Sequence, residues 1–263
     1  MRRPIAWLIS IGNELLVGRI VNTNASWIAT QLTLMGVNVR RIVTVGDSID
    51  EIVDVVRDAV ARSDIVITTG GLGPTDDDMT MEAIAAALHR PLELNIQALR
   101  MVEEFYSRRG YKLTEERVKM AFLPAGANPI PNPEGAAPGA HITEGHVEIF
   151  VLPGVPREMQ AMFNAYVVNA IKYMLPPLCV KEVGIIVEGI PEADLAPLLR
   201  RASKECIDCY TKSHPKGHEV DKPLIEIRVL ASAETCEEAL AKATKVINSL
   251  KNMLSGINYV VIR

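Results

Sequence analysis

The stretch DIVITTGGLGPTDDD, Asp64–Asp78, decides the fold. Asp64–Thr69 is short and mostly apolar or β-branched, as expected of a strand buried on both faces. A turn follows at Gly70, Gly71 and Gly73, and polar residues then lead into a helix expected over Asp77–Leu88. Strand, turn and helix in that order form the repeating unit of a parallel α/β sheet. Upstream the unit recurs. Ile5–Ile11 is a strand, and Asn24 can cap a helix over Ala25–Met35 that Gly36 stops. Val37–Val45 is a second strand, and Asp50 can cap a helix over Glu51–Arg62. The βαβαβ order predicts a three-layer α/β/α domain with a doubly wound, mostly parallel sheet and right-handed crossovers.

Downstream, helices are expected near Ile96–Arg108 and Glu115–Phe122. Leu123–Ala140 is rich in Pro and Gly and is expected to be a long loop without regular structure. His141–Thr143 and Val147–Leu152 should form a hairpin, and Pro156 suits the first turn of a helix. MLPPLC, Met174–Cys179, marks a domain boundary, with one domain over 1–175 and a second over 180–263. The second reads βαββαβ: strand Val180–Val187, helix Glu192–Ser203, strands Cys206–Lys212 and Leu224–Leu230, helix Cys236–Met253, strand Asn258–Ile262. That pattern predicts a small α/β module with a mostly antiparallel sheet.

The 263 residues suit one large domain or two ordinary ones. A net charge of −4 gives no general attraction to nucleic acid or anionic membrane. No apolar run approaches the roughly 20 residues that span a bilayer. MRRPIAWLISIG lacks a small-residue cleavage site and meets Asn13 and Glu14 early, so a first strand is expected there rather than a signal peptide. The expected location is the cytoplasm. Four cysteines, all beyond residue 178, are too few and too uneven for a secreted disulfide framework.

Parallel sheets bind ligands beyond the carboxyl ends of their strands. The chemistry is therefore expected at Asn13–Glu14, Gly46–Asp47 and Gly70–Asp78. The glycine turn is not a Walker loop, since no Gly-Lys-Ser/Thr follows it. Nor is it a dinucleotide fingerprint, which would place a glycine where Asp76 stands. Thr75-x-x-Asp78 resembles a capping box, so the acids could simply open the helix. Yet Glu14 and Asp47 follow neighbouring strands and converge on the same edge. Two like charges about 5 Å apart repel by on the order of 3 kcal/mol at an effective dielectric near 20. A divalent cation relieves this, and Mg²⁺ commonly takes one or two carboxylates plus substrate phosphates.

GNELLVGRIVNTNASWIATQL, VGDSIDEI, TTGGLGPTDDDMT, NPEGAAPG and LPGVPREMQAMF together resemble the competence- and damage-inducible CinA family. Its N-terminal domain belongs to the molybdopterin-binding group that includes MoaB and MogA. The resemblance covers about Ile5–Ala170, and the part beyond residue 180 looks like the KH-type module of CinA proteins. It implies a ligand site at Gly12, Asn13, Glu14, Asn22, Asp47, Thr69, Gly70, Gly71, Gly73, Asp78 and Thr80. The NPEGAAPG loop (Asn132, Gly135) and the PGVP turn (Pro153, Gly154) border it. Asp78 and Asp47 are the implied metal ligands, and Asp78, Asp47 and Glu14 the implied catalytic acids.

Two chemistries follow from the resemblance. One is metal-dependent cleavage of a nucleotide diphosphate such as ADP-ribose. The other is the adenylylation of molybdopterin carried out by MoaB and MogA relatives. The alternative to hydrolysis is a protein of molybdenum cofactor biosynthesis type that binds a pterin or nucleotide and hydrolyses nothing. Homo-oligomers are common in the family. Many CinA proteins also carry a C-terminal deamidase domain, and this chain stops at Arg263, so deamidation is not expected of it. No GXXG loop occurs in Val180–Arg263, so RNA binding is not expected.

Cys206, Cys209, His214 and His218 superficially resemble a zinc knuckle. On an extended strand the two cysteines would face opposite ways, so a strand and a polar loop are expected instead. His89 suits a cation at a helix end. His141 and His146 are expected at the surface, with His141 near enough to the Pro/Gly loop to reach a pocket. Arg108 or Arg109 could clamp a phosphate from a neighbouring subunit.

Overall fold

In the computed structural model, which describes residues 2–216, 223–254 and 256–262, β1 (Ile5–Ile11) is buried from Ala6 onward. Alternating side chains point to opposite faces of a strand, so full burial requires cover on both. Trp7, Ile9 and Ile11 pack with residues of the helices that follow, among them Ile52, Val56 and Ile84.

After β1 come α1 (Asn13–Leu16), α2 (Thr23–Leu34), β2 (Asn38–Val45), α3 (Ile49–Arg62), β3 (Ile65–Thr69) and α4 (Thr80–Ala87). Then follow β4 (Leu92–Leu94), α5 (Ile96–Ser107), α6 (Glu115–Lys119), β5 (Phe122–Pro124), β6 (Asn128–Ile130), β7 (Gly139–Glu144) and β8 (Val147–Leu152). A helical segment closes the unit: α7 (Pro156–Met162), a π turn over Phe163–Val167 and α8 (Val168–Ala170). The main sheet has the order β2-β1-β3-β8-β7-β6. β1, β2, β3 and β8 run parallel, while β7 pairs antiparallel with β8 and β6 antiparallel with β7. The expected α/β fold with a mostly parallel sheet is what forms.

Register explains where chemistry can gather. Ile11 pairs with Val45, Ser10 with Thr69 and Thr69 with Leu152. The four parallel strands therefore end level, and the chain leaves each on the same edge of the sheet.

Several local expectations are corrected. Asn22, not Asn24, caps α2, its Oδ1 accepting from Ala25 N–H at 3.1 Å. α3 starts at Ile49, two residues earlier than the Glu51 expected for an Asp50 cap, after Ser48 and without a side-chain cap, so Asp50 lies inside it. α4 starts at Thr80, so Asp76 and Asp77 precede the helix and cap nothing. The stretch expected to be an unstructured loop contains β6 and the start of β7. Leu123 and Pro124, at its start, belong to β5, which pairs with β4 in a ladder short enough to include a Pro. His89 has φ 54° and stands 3.4 Å from Arg57 Nη2.

The His141 side chain is mostly buried rather than at the surface. Its Nε2 lies 2.7 Å from Glu148 Oε2, its Nδ1 3.1 Å from the Tyr166 hydroxyl, and its ring stacks on Phe150. Burial would raise the Glu148 carboxyl, but hydrogen bonds from Tyr173, His141 and Thr143 outweigh it and hold it below the usual carboxylate range. The same bond to Glu148, with burial, pushes the Tyr173 phenol up to about 12.

Contacts group the chain into two compact units, Met1–Thr33 with Val37–Leu175 and Leu34–Gly36 with Pro176–Arg263. The second contains β9 (Cys179–Glu188), α9 (Glu192–Ala202), β10 (Tyr210–Pro215), β11 (Leu224–Ala233), α10 (Cys236–Met253) and β12 (Tyr259–Ile262). Its sheet is antiparallel, as the βαββαβ pattern predicts, and has the order β10-β11-β9-β12. All four cysteines are paired, against expectation: Cys179 with Cys236 and Cys206 with Cys209. The expected strand over Cys206–Lys212 begins only at Tyr210, so the CxxC segment is a turn and its two sulfurs meet. They are thereby removed from any zinc site. His218 lies outside the described residues.

Candidate functional site

At the carboxyl edge of the sheet lies a cavity of about 400 Å³, within the range typical of small-ligand sites. Each parallel strand contributes the segment that leaves it. β1 leads to Gly12 and Glu14, β2 to Asp47, β3 to the Gly70–Asp78 turn, and β8 to Pro153, Gly154 and Glu158.

The glycine turn is shaped by contacts that admit no side chain. Gly70 has φ +111°, and a Cβ there would collide with the Ile11 carbonyl oxygen. Gly71 has φ +65° and would collide with the Thr80 hydroxyl. Gly70 N–H donates to Leu152 O at 3.1 Å, and Thr80 Oγ1 donates to Gly70 O at 2.8 Å. The Gly70 amide is therefore part of the scaffold, although Gly70 lines the cavity together with Gly71–Gly73. Beyond it Asp78 Oδ2 accepts from Thr75 N–H at 3.0 Å and from the Thr75 hydroxyl. Hydrogen bonds from the Thr75 side chain and from its own backbone N–H hold Asp77 below its ordinary range.

Five carboxylates line the cavity: Glu14, Asp47, Asp77, Asp78 and Glu158. Among the described residues that line it with them there is no Lys, Arg or His. Asn13 N–H donates to Asp47 Oδ2 at 2.9 Å, and Asp47 N–H faces Asn13 Oδ1 at 3.4 Å. This reciprocal pair ties the end of β1 to that of β2. Glu158 Oε2 accepts from Asn132 Nδ2 at 2.7 Å. The bonds to Asp47, Asp78 and Glu158 each use one carboxylate oxygen. Among the described residues no three His, Cys, Asp or Glu side chains gather closely enough to cage a metal by themselves. Such a donor set suits an ion that takes one or two carboxylates and fills its shell from ligand and water, as Mg²⁺ does.

The cavity thus gathers Gly12, Glu14, Asp47, Gly70, Gly71, Gly73, Asp78, Pro153 and Gly154. Asn22 and Thr69 line a neighbouring cavity of about 280 Å³ that shares Glu14 and Gly154 with it. Four expected ligand residues lie outside both linings and support the residues around them. Asn13 locks Asp47. Thr80 is fully buried and holds the Gly70 carbonyl. Asn132 accepts from the Glu134 and Gly135 amides and so folds the 132–137 loop. Gly135 leaves room for the Glu158 carboxylate, which a Cβ would strike. Arg108 pairs with Glu104 at 3.1 Å and Arg109 stacks on the Phe105 ring.

Sequence reading missed Glu158 and Asn24. Glu158 stands in the first turn of α7, where an acid needs no explanation beyond the helix dipole. Asn24 is buried, and its Nδ2 donates to Thr69 Oγ1 at 3.0 Å and to Gly154 O at 2.7 Å. Its position next to a helix start invited the capping assignment that Asn22 fulfils.

Comparison with known proteins agrees with this architecture. Residues 7–173 match the family described as "probable molybdopterin binding domain". A protein of Aeropyrum pernix is 51% identical over 248 residues, spanning 94% of this chain and 92% of that one. One of Pyrobaculum arsenaticum is 51% identical over 256 residues, spanning 97% of each. The crystal structure of the CinA protein of Thermoplasma acidophilum, described as of unknown function, is 44% identical with a TM-score of 0.60. The match covers 63% of this chain and 98% of that one. Glycine turn, level strand ends and family match coincide in one unit, and the chain belongs to the molybdopterin-binding domain family.

Proposed function

We propose that the first unit binds a small pterin or nucleotide phosphate through a divalent cation. The observation that carries this reading is the juxtaposition of the Gly71–Gly73 turn with five carboxylates, and no basic partner among the described lining residues, in one cavity. Backbone amides in a glycine turn approach an anion closely, whereas the acids require a positive charge. Asp78 and Asp47 would hold the ion, and the turn amides would hold the phosphoryl oxygens. Titrating the protein with ADP in the presence of Mg²⁺ and in EDTA tests the reading. Binding that is equally tight in both conditions would overturn the role of the metal.

A second reading is hydrolysis of a nucleotide diphosphate of the ADP-ribose type. The number of acids favours it, because one or two suffice to hold Mg²⁺ and five are present. When bound, such an ion neutralises developing charge and lowers the pKa of a water ligand. Glu14 at the end of β1 is the acid we assign to take the proton of the attacking water. Release of AMP from ADP-ribose with several divalent metals decides between the readings: binding without product leaves the first. In either case we place the protein in the cytoplasm as a homo-oligomer, with the second unit as a KH-like module, and light scattering tests the assembly.

A further inference from the structure

The Gly71–Gly73 turn is a wall shared by two cavities. On one side lie the five carboxylates. On the other is a cavity of about 230 Å³ bordered by Lys119, Met120 and Phe122 together with only two carboxylates, Asp78, which faces both cavities, and Glu82. Among the described residues lining these two cavities, Lys119 is the single basic side chain. It stands at the last position of α6, and its ammonium donates to the Thr75 carbonyl, in the segment that also anchors Asp78. Behind the Thr75 hydrogen bond, its charge also helps hold Asp77 ionised.

We infer that Lys119 is a phosphate-binding residue, placed behind the glycine turn to meet ligand oxygens that the carboxylate side would repel. The inference rests on the phosphate reading above and deepens it. An ammonium carries three donors, and the Thr75 carbonyl takes one, so others remain for a ligand. The cation held by Asp78 and Asp47 neutralises phosphate from one side of the turn, and Lys119 does so from the other. The arrangement explains how an acidic site can accept a polyanion without a Walker-type lysine in the turn.

Lys119→Gln and Lys119→Arg test this. Glutamine keeps a donor for the Thr75 carbonyl but removes the charge, whereas arginine keeps the charge. With ADP and Mg²⁺ as the probe, calorimetry should show Lys119→Gln binding at least about tenfold more weakly, as expected for a lost charge-assisted bond. Lys119→Arg should bind within a few-fold of wild type. Loss of the ammonium should also flatten the salt dependence of binding. Thermal melting of both variants confirms that the fold is kept. If wild type binds and Lys119→Gln binds equally well, Lys119 merely braces the turn and this inference falls alone. If wild type binds ADP in neither Mg²⁺ nor EDTA, the phosphate reading fails and takes the inference with it.

Discussion

Asn24 Nδ2 donates to the Gly154 carbonyl at 2.7 Å, joining residues 130 apart in sequence. The same amide reaches Thr69 Oγ1, which itself donates to Pro153 O at 2.8 Å. One buried side chain thus holds the ends of β3 and β8 against the start of α2. Asn24→Ala strands the Gly154 carbonyl, and a buried orphan of this kind costs about 1–3 kcal/mol. Urea denaturation should show that loss. ADP affinity should fall too, because the turn facing Gly70 loosens.

Asp78→Asn should weaken Mg²⁺-dependent ADP binding at least about tenfold, the size of a lost charged interaction. Binding in EDTA should change little. Calorimetry under both conditions separates the cases: an equal loss in each would mean that Asp78 acts through the Thr75 turn and not through a metal. Asp76→Ala, outside the cavity lining, should behave as wild type in both.

Two glycine substitutions separate strain from collision. Gly145 has φ +60°, and a Cβ added there would meet nothing within 4 Å. Gly145→Ala therefore incurs conformational strain alone, about 1 kcal/mol. Gly70→Ala adds a collision with the Ile11 carbonyl, which is backbone and cannot swing away. Its loss should exceed that of Gly145→Ala by at least about 1–3 kcal/mol in chemical denaturation. Similar losses at both positions would show that the edge of β1 yields.

Glu148 makes a pH test of the buried network. Its carboxyl is held below the ordinary value of 4.5, so the stabilisation is complete above that pH and is lost as pH falls through the lowered folded value. Glu148→Gln should therefore be less stable than wild type at neutral pH, and the gap should close in acid. Urea titrations at neutral and acidic pH check the sign. A gap that widens in acid would show that the network is held by shape and not by charge.

The two disulfides differ in what they restrain. Cys179–Cys236 closes a separation of 57 residues and Cys206–Cys209 one of 3. In the chain-entropy account the long loop is worth about 4 kcal/mol and the short one about 2. The double variant Cys179→Ala/Cys236→Ala should melt well below Cys206→Ala/Cys209→Ala. The reverse order would mean that native-state strain outweighs loop entropy.

Much of this was legible in the residues themselves. Apolar runs and glycine stops located β1, β3, β8 and the βαββαβ order, because hydrophobic period and turn chemistry are local properties. Glu14, Asp47, Gly71 and Asp78 were legible as well, since each follows a strand of a parallel sheet. Where local rules competed, they misled. Asn24 and Asp50 looked like caps, and Cys206 and Cys209 looked like strand residues with sulfurs apart.

Sequence alone determined the layers, the parallel edge and the kinds of group that gather there. Tertiary structure decided which of them meet. β8 inserts beside β3 after an excursion from Thr80 to Glu144, and this brings Gly154 and Glu158 to the glycine turn. The same excursion carries α6 back, so that Lys119 stands behind the turn. Such neighbours are set by strand order and register. Those depend on burying one continuous core, and no local periodicity in the chain records them.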